Sequence, residues 1–94
     1  MKEQILLDLV KDAIQAEFEH KEIDREKYSE IKELNEDGAT FVTINLNGHL
    51  RGCIGSLSAY RSLGDDIISN AKAAAFEDPR FYQLTPEEFA KAEF

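Results

Sequence analysis

The chain has 94 residues, of which 43% are hydrophobic, with 11 Lys or Arg, 19 Asp or Glu and a net charge of −8. This apolar content excludes global disorder, and the length predicts a single domain over residues 1–94. The acidic surface excludes nucleic acid and anionic membranes as expected partners. There is no apolar run of spanning length, and Met1-Lys2-Glu3 does not open a signal peptide. We expect a cytoplasmic protein whose single cysteine, Cys53, is reduced.

The first third of the chain is predicted to be helical. Between Lys2 and about Phe18, apolar residues recur at helical spacing with charges opposite them: Ile5, Leu6, Leu9, Val10, Ala13 and Ile14. The charged stretch that follows is expected to hold a short helix from about Asp24. Residues 35–38 (NEDG) then have the composition of a turn before a strand.

A β-hairpin is predicted in the middle of the chain, with a strand at residues 41–46 and a turn at Asn47-Gly48. A two-residue loop would mix polar and apolar side chains on both faces, whereas a three-residue loop, 46–48, separates them. The three-residue loop would place one set on the apolar face: Val42, Ile44, Leu50 and Ile54. It would place another set on the opposite face: Phe41, Thr43, Asn45, His49, Arg51 and Cys53. The hydrophobic pattern favours this second register, with Gly48 at positive φ.

Two further helices are predicted after the hairpin. Ser62 is a good N-cap for a helix that ends at about Phe76, and Pro79 indicates a break at Asp78. Residues 85–88 (TPEE) form a capping-box pattern with proline at the first helical position. The predicted fold class is therefore α/β of the α+β kind, with helices packed on an antiparallel β-hairpin.

The hexapeptide at residues 50–55 (LRGCIG) contains the residues that suggest a reactive or binding site. In the favoured register Cys53 shares a face with Arg51 and His49, and a neighbouring cation lowers the pKa of a thiol. Cys53 is thus a candidate nucleophile, Arg51 an anion clamp or thiolate stabiliser, and His49 a weaker candidate for a general base. The alternatives are a buried Cys53 acting as a small hydrophobe, an ion-paired Arg51 and an exposed, inactive His49.

Four other residues are candidates for ligand binding. Gly52 and Gly55 permit close approach of a ligand or of another backbone, or mark a bulge. Asp78 and Arg80 either lie at the mouth of a cleft or form a turn that ends a helix. One Cys and two His cannot form a thiolate-rich zinc site, and no phosphate loop or dinucleotide fingerprint is present. We therefore predict neither a metal nor a cofactor.

The hexapeptide resembles the signature of the AMMECR domain family. Three other stretches fit the pattern of that family in order and spacing: 41–43 (FVT), 73–81 (AAAFEDPRF) and 84–88 (LTPEE). Because family domains are longer, the chain resembles the N-terminal half of such a domain, and its hairpin is expected to be part of a larger AMMECR-type sheet. In many prokaryotes members are encoded with a Memo-like protein and a radical SAM protein, which implies a shared pathway with these proteins as partners.

Two functional hypotheses follow, and a structural one stands beside them. The first is an enzyme component that acts on a small metabolite through Cys53 and Arg51. The second is a non-catalytic domain, in which the hexapeptide shapes a ligand cleft or a protein interface. In the third, the hexapeptide is only a tight packing motif around glycine. Because a lone hairpin leaves sheet edges unpaired, a chain of this length is also expected to be a homo-oligomer.

Overall fold

A computed structural model describes residues 3–94, in which helices pack on an antiparallel hairpin. The helices are α1 (Glu3–Phe18), α2 (Lys32–Asn35), α3 (Leu63–Phe76) and α4 (Pro86–Lys91), and the strands are β1 (Phe41–Leu46) and β2 (His49–Gly55). The α+β fold class is therefore confirmed. Lys2, the predicted start of the first helix, lies outside the described residues.

The core lies where α1 and α3 pack together and cover one face of the hairpin. The stripe of α1 packs into the core as its spacing predicts: Leu9, Ala13 and Ile14 are at most 1% exposed, and Ile5 and Leu6 are half-buried. From α3, Ile67 and Ala71 join the same apolar cluster. Between residues 3 and 94, no helix has the length and apolar character needed to cross a membrane.

The prediction of one short helix from Asp24 is wrong. The structure instead has a 3-10 turn at Glu26–Tyr28 and then the separate helix α2. The backbone of Ile31 is extended between them, with φ −84° and ψ 105°, and this interrupts the helical path. The segment is nevertheless anchored, because Ile23, Tyr28 and Leu34 are buried in the core.

The register of the hairpin differs from both sequence-based alternatives. Asn47 and Gly48 have φ values of 54° and 78°, as a two-residue type I′ turn requires, so the three-residue loop is wrong. Leu46 pairs with His49, but the pairing shifts after Asn45, so that one residue of β2, Arg51, is inserted as a β-bulge. The Asn-Gly turn sets the length of the loop at two residues. The bulge then returns the residues of β2 that follow it to the faces that a three-residue loop would have given them.

The bulge changes which side chains share a face. Val42 and Ile44 are buried against the helices, as predicted, whereas Leu50 is 42% exposed and does not join the apolar face. Cys53 pairs with Thr43, and His49 pairs with Leu46, three residues further along β1. Because faces alternate along a strand, His49 and Cys53 lie on opposite faces, and their predicted common face is wrong.

Both predicted helix caps are confirmed. The hydroxyl of Ser62 accepts a 3.2 Å hydrogen bond from the amide of Asp65 at the start of α3. At α4 the reciprocal capping box is complete, because the hydroxyl of Thr85 accepts from the amide of Glu88 and the Glu88 carboxylate accepts from the amide of Thr85. These caps fix where α3 and α4 begin, and therefore the lengths of the loops beside β2.

A buried polar network ties the two ends of the hairpin to α3. Asp66 is fully buried and accepts hydrogen bonds from Thr40, Ser56, Arg61 and Asn70. Burial alone would raise the pKa of the Asp66 carboxyl, but these bonds outweigh it and hold that pKa below its ordinary value. Thr40 precedes β1 and Ser56 follows β2, so this one carboxylate holds both outer ends of the hairpin.

Candidate functional site

The glycines of the hexapeptide are sites of close packing. A Cβ atom on Gly52 would overlap the backbone carbonyl oxygen of Ala74, so β2 lies against α3 at a distance that only glycine allows. A Cβ atom on Gly55 would overlap the ring of Phe41, its partner across the hairpin. Both positions are thus occupied by the chain itself, by a helix backbone in one case and an aromatic ring in the other.

The outer edge of β2 is closed at Cys53 by two side chains. The amide of Cys53 donates a 3.1 Å hydrogen bond to Oδ2 of Asp78, and the guanidinium of Arg80 donates a 3.4 Å bond to the Cys53 carbonyl oxygen. Asp78 and Arg80 also pair with each other, at 2.8 and 3.0 Å. Together they satisfy the one donor and one acceptor that a neighbouring strand would otherwise bind.

Asp78 lies at the centre of this arrangement. Its side chain is 2% exposed, and it begins a turn in which the amide of Phe81 donates to the Asp78 carbonyl oxygen at 3.1 Å. The hydrogen bond from the Arg80 side chain, helped by the amides of Arg80 and Cys53, outweighs burial and holds the pKa of Asp78 well below its ordinary value. Asp78 is therefore an acceptor in this site and has no proton to donate near neutral pH.

The thiol of Cys53 is half-buried beside Thr43 and Arg80. Its sulfur lies 3.5 Å from the hydroxyl oxygen of Thr43, across the hairpin. The pKa of Arg80 is raised chiefly by Asp78 and, to a smaller extent, by the negative charge that Cys53 can carry. Arg80 therefore binds the backbone of Cys53, whereas the sequence pattern had placed Arg51 beside that residue.

Arg51 binds elsewhere, against α4. Its Nε and one terminal nitrogen each donate a 3.0 Å bond to the two carboxylate oxygens of Glu88, and the same terminal nitrogen reaches the carbonyl oxygen of Tyr82 at 2.8 Å. The Arg51 side chain is 13% exposed. The hydrogen bond from Arg51 outweighs burial and lowers the pKa of Glu88. The sequence left open whether Arg51 binds an anionic ligand or forms an ion pair within the chain. The structure shows the ion pair, which is bidentate and has Glu88 as its partner.

Phe81 separates the two arginines. The guanidinium carbons of Arg51 and Arg80 lie 5.7 and 5.4 Å from the centre of its ring, within cation–π range. These side chains line an open cleft of about 420 Å³, together with Thr85 and Glu88. Three of the residues that line the cleft are charged: Arg51 and Glu88 pair with each other, and Arg80 pairs with Asp78.

The structure brings together three of the seven candidate residues, Cys53, Asp78 and Arg80. Arg51 lies beside them in the open cleft, and Gly52 and Gly55 pack against the chain, whereas His49 is exposed at the hairpin tip. Within the part of the chain that the structure describes, no group of three His, Cys, Asp or Glu residues could hold a metal ion.

Sequence reasoning missed several residues that build this site. Glu88 was assigned only to the α4 cap, although the same carboxylate also binds Arg51. Asp66 and Asn70, four residues apart, interrupt the apolar face of α3, and that interruption was the signal for a buried network. No local signal in the sequence indicated that Thr43 would lie opposite Cys53, since this pairing depends on the bulge.

These features define an α+β chain in which a hairpin with a glycine-rich return strand packs on α3 and is closed at one edge by an Asp-Pro-Arg turn. The chain belongs to the AMMECR1 family, whose family model matches residues 7–94. The membership that the sequence resemblance predicts is thereby confirmed.

Similar proteins have names that do not describe an activity. Protein SSO0193 of Saccharolobus solfataricus is 37% identical over 91 residues, covering 93% of this chain and 40% of that protein. Protein TV1384 of Thermoplasma volcanium is 36% identical over 77 residues, covering 77% and 38%. The crystal structure of the uncharacterized protein PH0010 from Pyrococcus horikoshii matches with a TM-score of 0.83 and 33% identity, over 94% of this chain and 46% of that one. The chain thus spans less than half the length of these relatives.

Proposed function

We propose that this AMMECR1-family chain is a non-catalytic protein-interaction domain in which the hexapeptide shapes the sheet and does not carry out a reaction. One observation carries this proposal: the charged side chains in and around the hexapeptide are paired with each other. Arg51 is held by Glu88, and Asp78 is held by Arg80 and by the Cys53 amide. A general acid or base needs a pKa near the working pH, and the lowered pKa values of Asp78 and Glu88 move both carboxyls away from it.

Exposed apolar side chains support an interface. Leu57 is 96% exposed, Tyr82 92%, Tyr60 66% and Phe41 65%. Aromatic side chains are enriched at protein interfaces, because they bury a large area while losing little conformational freedom. Tyr82 is also the residue whose carbonyl binds Arg51, so the hexapeptide positions a residue of the proposed interface.

The partners that we propose are a Memo-like protein and a radical SAM protein of the same pathway. The support is the family resemblance, which associates members with these two proteins. A chain of net charge −8 is expected to bind a basic surface, and its association rate should then fall as the salt concentration rises.

Calorimetric titration of the chain with each purified partner from the same organism tests this proposal. We expect Tyr82→Ser to weaken binding at least tenfold, because it removes an exposed aromatic without touching the core. Cys53→Ala is the matched variant and should leave the dissociation constant within twofold. Failure of both partners to bind, or loss of binding in Cys53→Ala alone, would contradict the proposal.

A second candidate, an enzyme component that acts on a small metabolite, is favoured by the thiol. Cys53 is half-buried, contacts the hydroxyl of Thr43 and lies beside Arg80. Here Cys53 would be the nucleophile, Arg80 and Arg51 would hold an anionic substrate, and Gly52 and Gly55 would allow it to approach the backbone.

Alkylation by iodoacetamide as a function of pH tests this second candidate. An activated thiol should react with a midpoint below about 8.5, the ordinary value for a free cysteine. Arg80→Gln should raise that midpoint, and Arg51→Gln, the matched control, should not. If Cys53 is labelled only after denaturation, the enzyme candidate is excluded.

A further inference from the structure

A pocket separate from the cleft at Arg51 lies at the start of α3. It has a volume of about 230 Å³, and its walls come from α1, the 3-10 turn at Glu26–Tyr28, α2 and α3. Part of its lining consists of buried apolar and aromatic side chains: Leu9, Tyr28, Leu34 and Ile68. The described residues that line it lie between positions 9 and 68, and none of them lines the groove beside β1 in which Phe94 lies.

Hydrogen bonds and close packing hold the walls of this pocket in place. The side-chain amide of Asn35 donates 3.1 Å bonds to the carbonyl oxygens of Ser29 and Ile31, so it ties α2 to the end of the 3-10 turn. A Cβ atom built on Gly64 would lie 3.1 Å from the carbonyl oxygen of Leu34, which shows how closely α2 approaches the first turn of α3. The pocket is therefore formed by the chain itself, as small-molecule sites usually are.

An exposed ion pair lies at the mouth of the pocket. One terminal nitrogen of Arg25 donates a 2.5 Å hydrogen bond to Oδ1 of Asp65; both residues line the pocket, and their side chains are 60% and 48% exposed. The bond from Arg25 holds the pKa of the Asp65 carboxyl below its ordinary value, so both groups are charged near neutral pH. Because so exposed an ion pair contributes little to stability, a ligand can separate the two side chains at small cost.

We propose that this pocket binds a small α-amino acid with an apolar side chain. Arg25 binds the carboxylate of the amino acid, and Asp65 binds its ammonium group. The apolar side chain of the ligand contacts the buried part of the lining. The inference goes beyond the proposed function, because it concerns a small molecule and none of the residues that we assign to the partner interface.

The two opposite charges at the mouth select a zwitterion. An anion that reaches Arg25 is repelled by the neighbouring carboxylate of Asp65, and a cation that reaches Asp65 is repelled by Arg25 in the same way. A ligand with both charges on adjacent groups replaces the ion pair and leaves each side chain with a partner. The net charge of −8 disfavours an anion further. The ligand must also be small, because sites for drug-sized molecules have volumes of roughly 300–1,000 Å³.

Titration of the chain with L-leucine, followed through the amide resonances of Gly64 and Asp65, tests the site. Three compounds serve as matched probes: isoamylamine lacks the carboxylate, 4-methylpentanoate lacks the ammonium group, and glycine lacks the apolar side chain. We expect a saturable shift with L-leucine and at least tenfold weaker binding of each of the three. Absence of a saturable shift with L-leucine, or equal affinity for any of the three probes, would overturn the proposal.

Arg25→Gln and Asp65→Asn test the same claim from the protein side. Each removes one charge at an exposed position, so the core should stay intact, and each should weaken the binding of L-leucine at least tenfold. Lys21→Gln is the matched control, because it breaks the exposed ion pair of Lys21 with Glu19 outside the pocket; it should leave the dissociation constant within twofold. Wild-type affinity in both pocket variants would overturn the proposal. If either variant does not fold, the three probes on the wild-type chain still decide the question.

Discussion

The two outer edges of the hairpin are finished in opposite ways. On β2, the backbone of Cys53 is bound by the side chains of Asp78 and Arg80. On β1, one rung with Glu93 is followed by outward backbone groups and an apolar groove. An open sheet edge attracts other strands, and proteins block it with charges or cover. Among the described residues, the backbone of β2 at Cys53 is therefore bound by side chains, whereas β1 pairs at Asn45 with the backbone of Glu93.

Two side chains are enough to bind the outward backbone groups of β2 at Cys53. A carboxylate that accepts and a guanidinium that donates reproduce the pairing capacity of a strand residue, because a peptide offers one acceptor and one donor. The turn at residues 78–81 holds both groups at one position, with the side chain of Asp78 buried and that of Arg80 56% exposed. Asp78 and Arg80 thus bind each other and the backbone of Cys53 at the same time.

The largest effect is expected from Gly52→Ala, which forces β2 away from α3. The added Cβ atom would overlap the carbonyl oxygen of Ala74, a backbone atom that cannot rotate away. We expect the free energy of unfolding to fall by about 3 kcal/mol or more, measured by urea denaturation. The exposed neighbour Leu50→Ala is the matched control and should change it by less than about 1 kcal/mol. A stable Gly52→Ala protein would show that the hexapeptide is not a packing motif.

Asp78→Asn should open the β2 edge, with a pH dependence that identifies the carboxylate. Because the folded-state pKa of Asp78 lies below its ordinary value of 3.8, its stabilising contribution is complete above pH 3.8 and is lost as the pH falls below that value. We expect Asp78→Asn to lower Tm by roughly 8 °C at pH 7, and the difference from wild type to shrink between pH 4 and about pH 2. A difference that persists unchanged down to pH 2 would mean that the ionised carboxylate does not cap the edge.

The smallest effect on stability is expected at the hairpin turn, where a substitution acts only through the backbone conformation. Gly48 has φ 78°, and nothing lies within 4 Å of a Cβ atom built on it, so a side chain meets no steric contact. Gly48→Val should therefore cost about 1 kcal/mol through the positive φ alone. Gly48→Asn should cost less, since asparagine tolerates that region. Equal thermal stabilities of wild type, Val and Asn proteins would refute the type I′ turn.

Much of the fold follows from local signals in the sequence. Helix α3 begins at its Ser62 cap, α4 begins at its capping box, and β1 has the bounds that its alternation predicts, because each depends on residues close in sequence. The register of β2 could not be predicted in this way. It depends on a balance between the Asn-Gly turn and burial of Val42 and Ile44, and the protein satisfies both by inserting Arg51 as a bulge.

Some members of the candidate site were predictable from the sequence, but their pairings were not. The sequence identified Arg51, Cys53, Asp78 and Arg80, yet it could not choose among 19 carboxylates for the partner of Arg51. That choice depends on how the loop after α3 brings α4 back to β2, which is a tertiary property. The catalytic and ligand-binding roles of these residues stay predictions, and the alkylation and partner-binding experiments address them.

Amide hydrogen exchange at Cys53 and Thr43 tests the difference between the two edges most directly. These residues are cross-strand partners, and both amides face away from the hairpin, so they form a matched pair. The Cys53 amide donates to Asp78 and should be protected, whereas the Thr43 amide should exchange at close to the rate of an open strand edge. Asp78→Asn should speed exchange at Cys53 and leave Thr43 unchanged. Equal protection of the two amides in the wild-type chain would contradict the account.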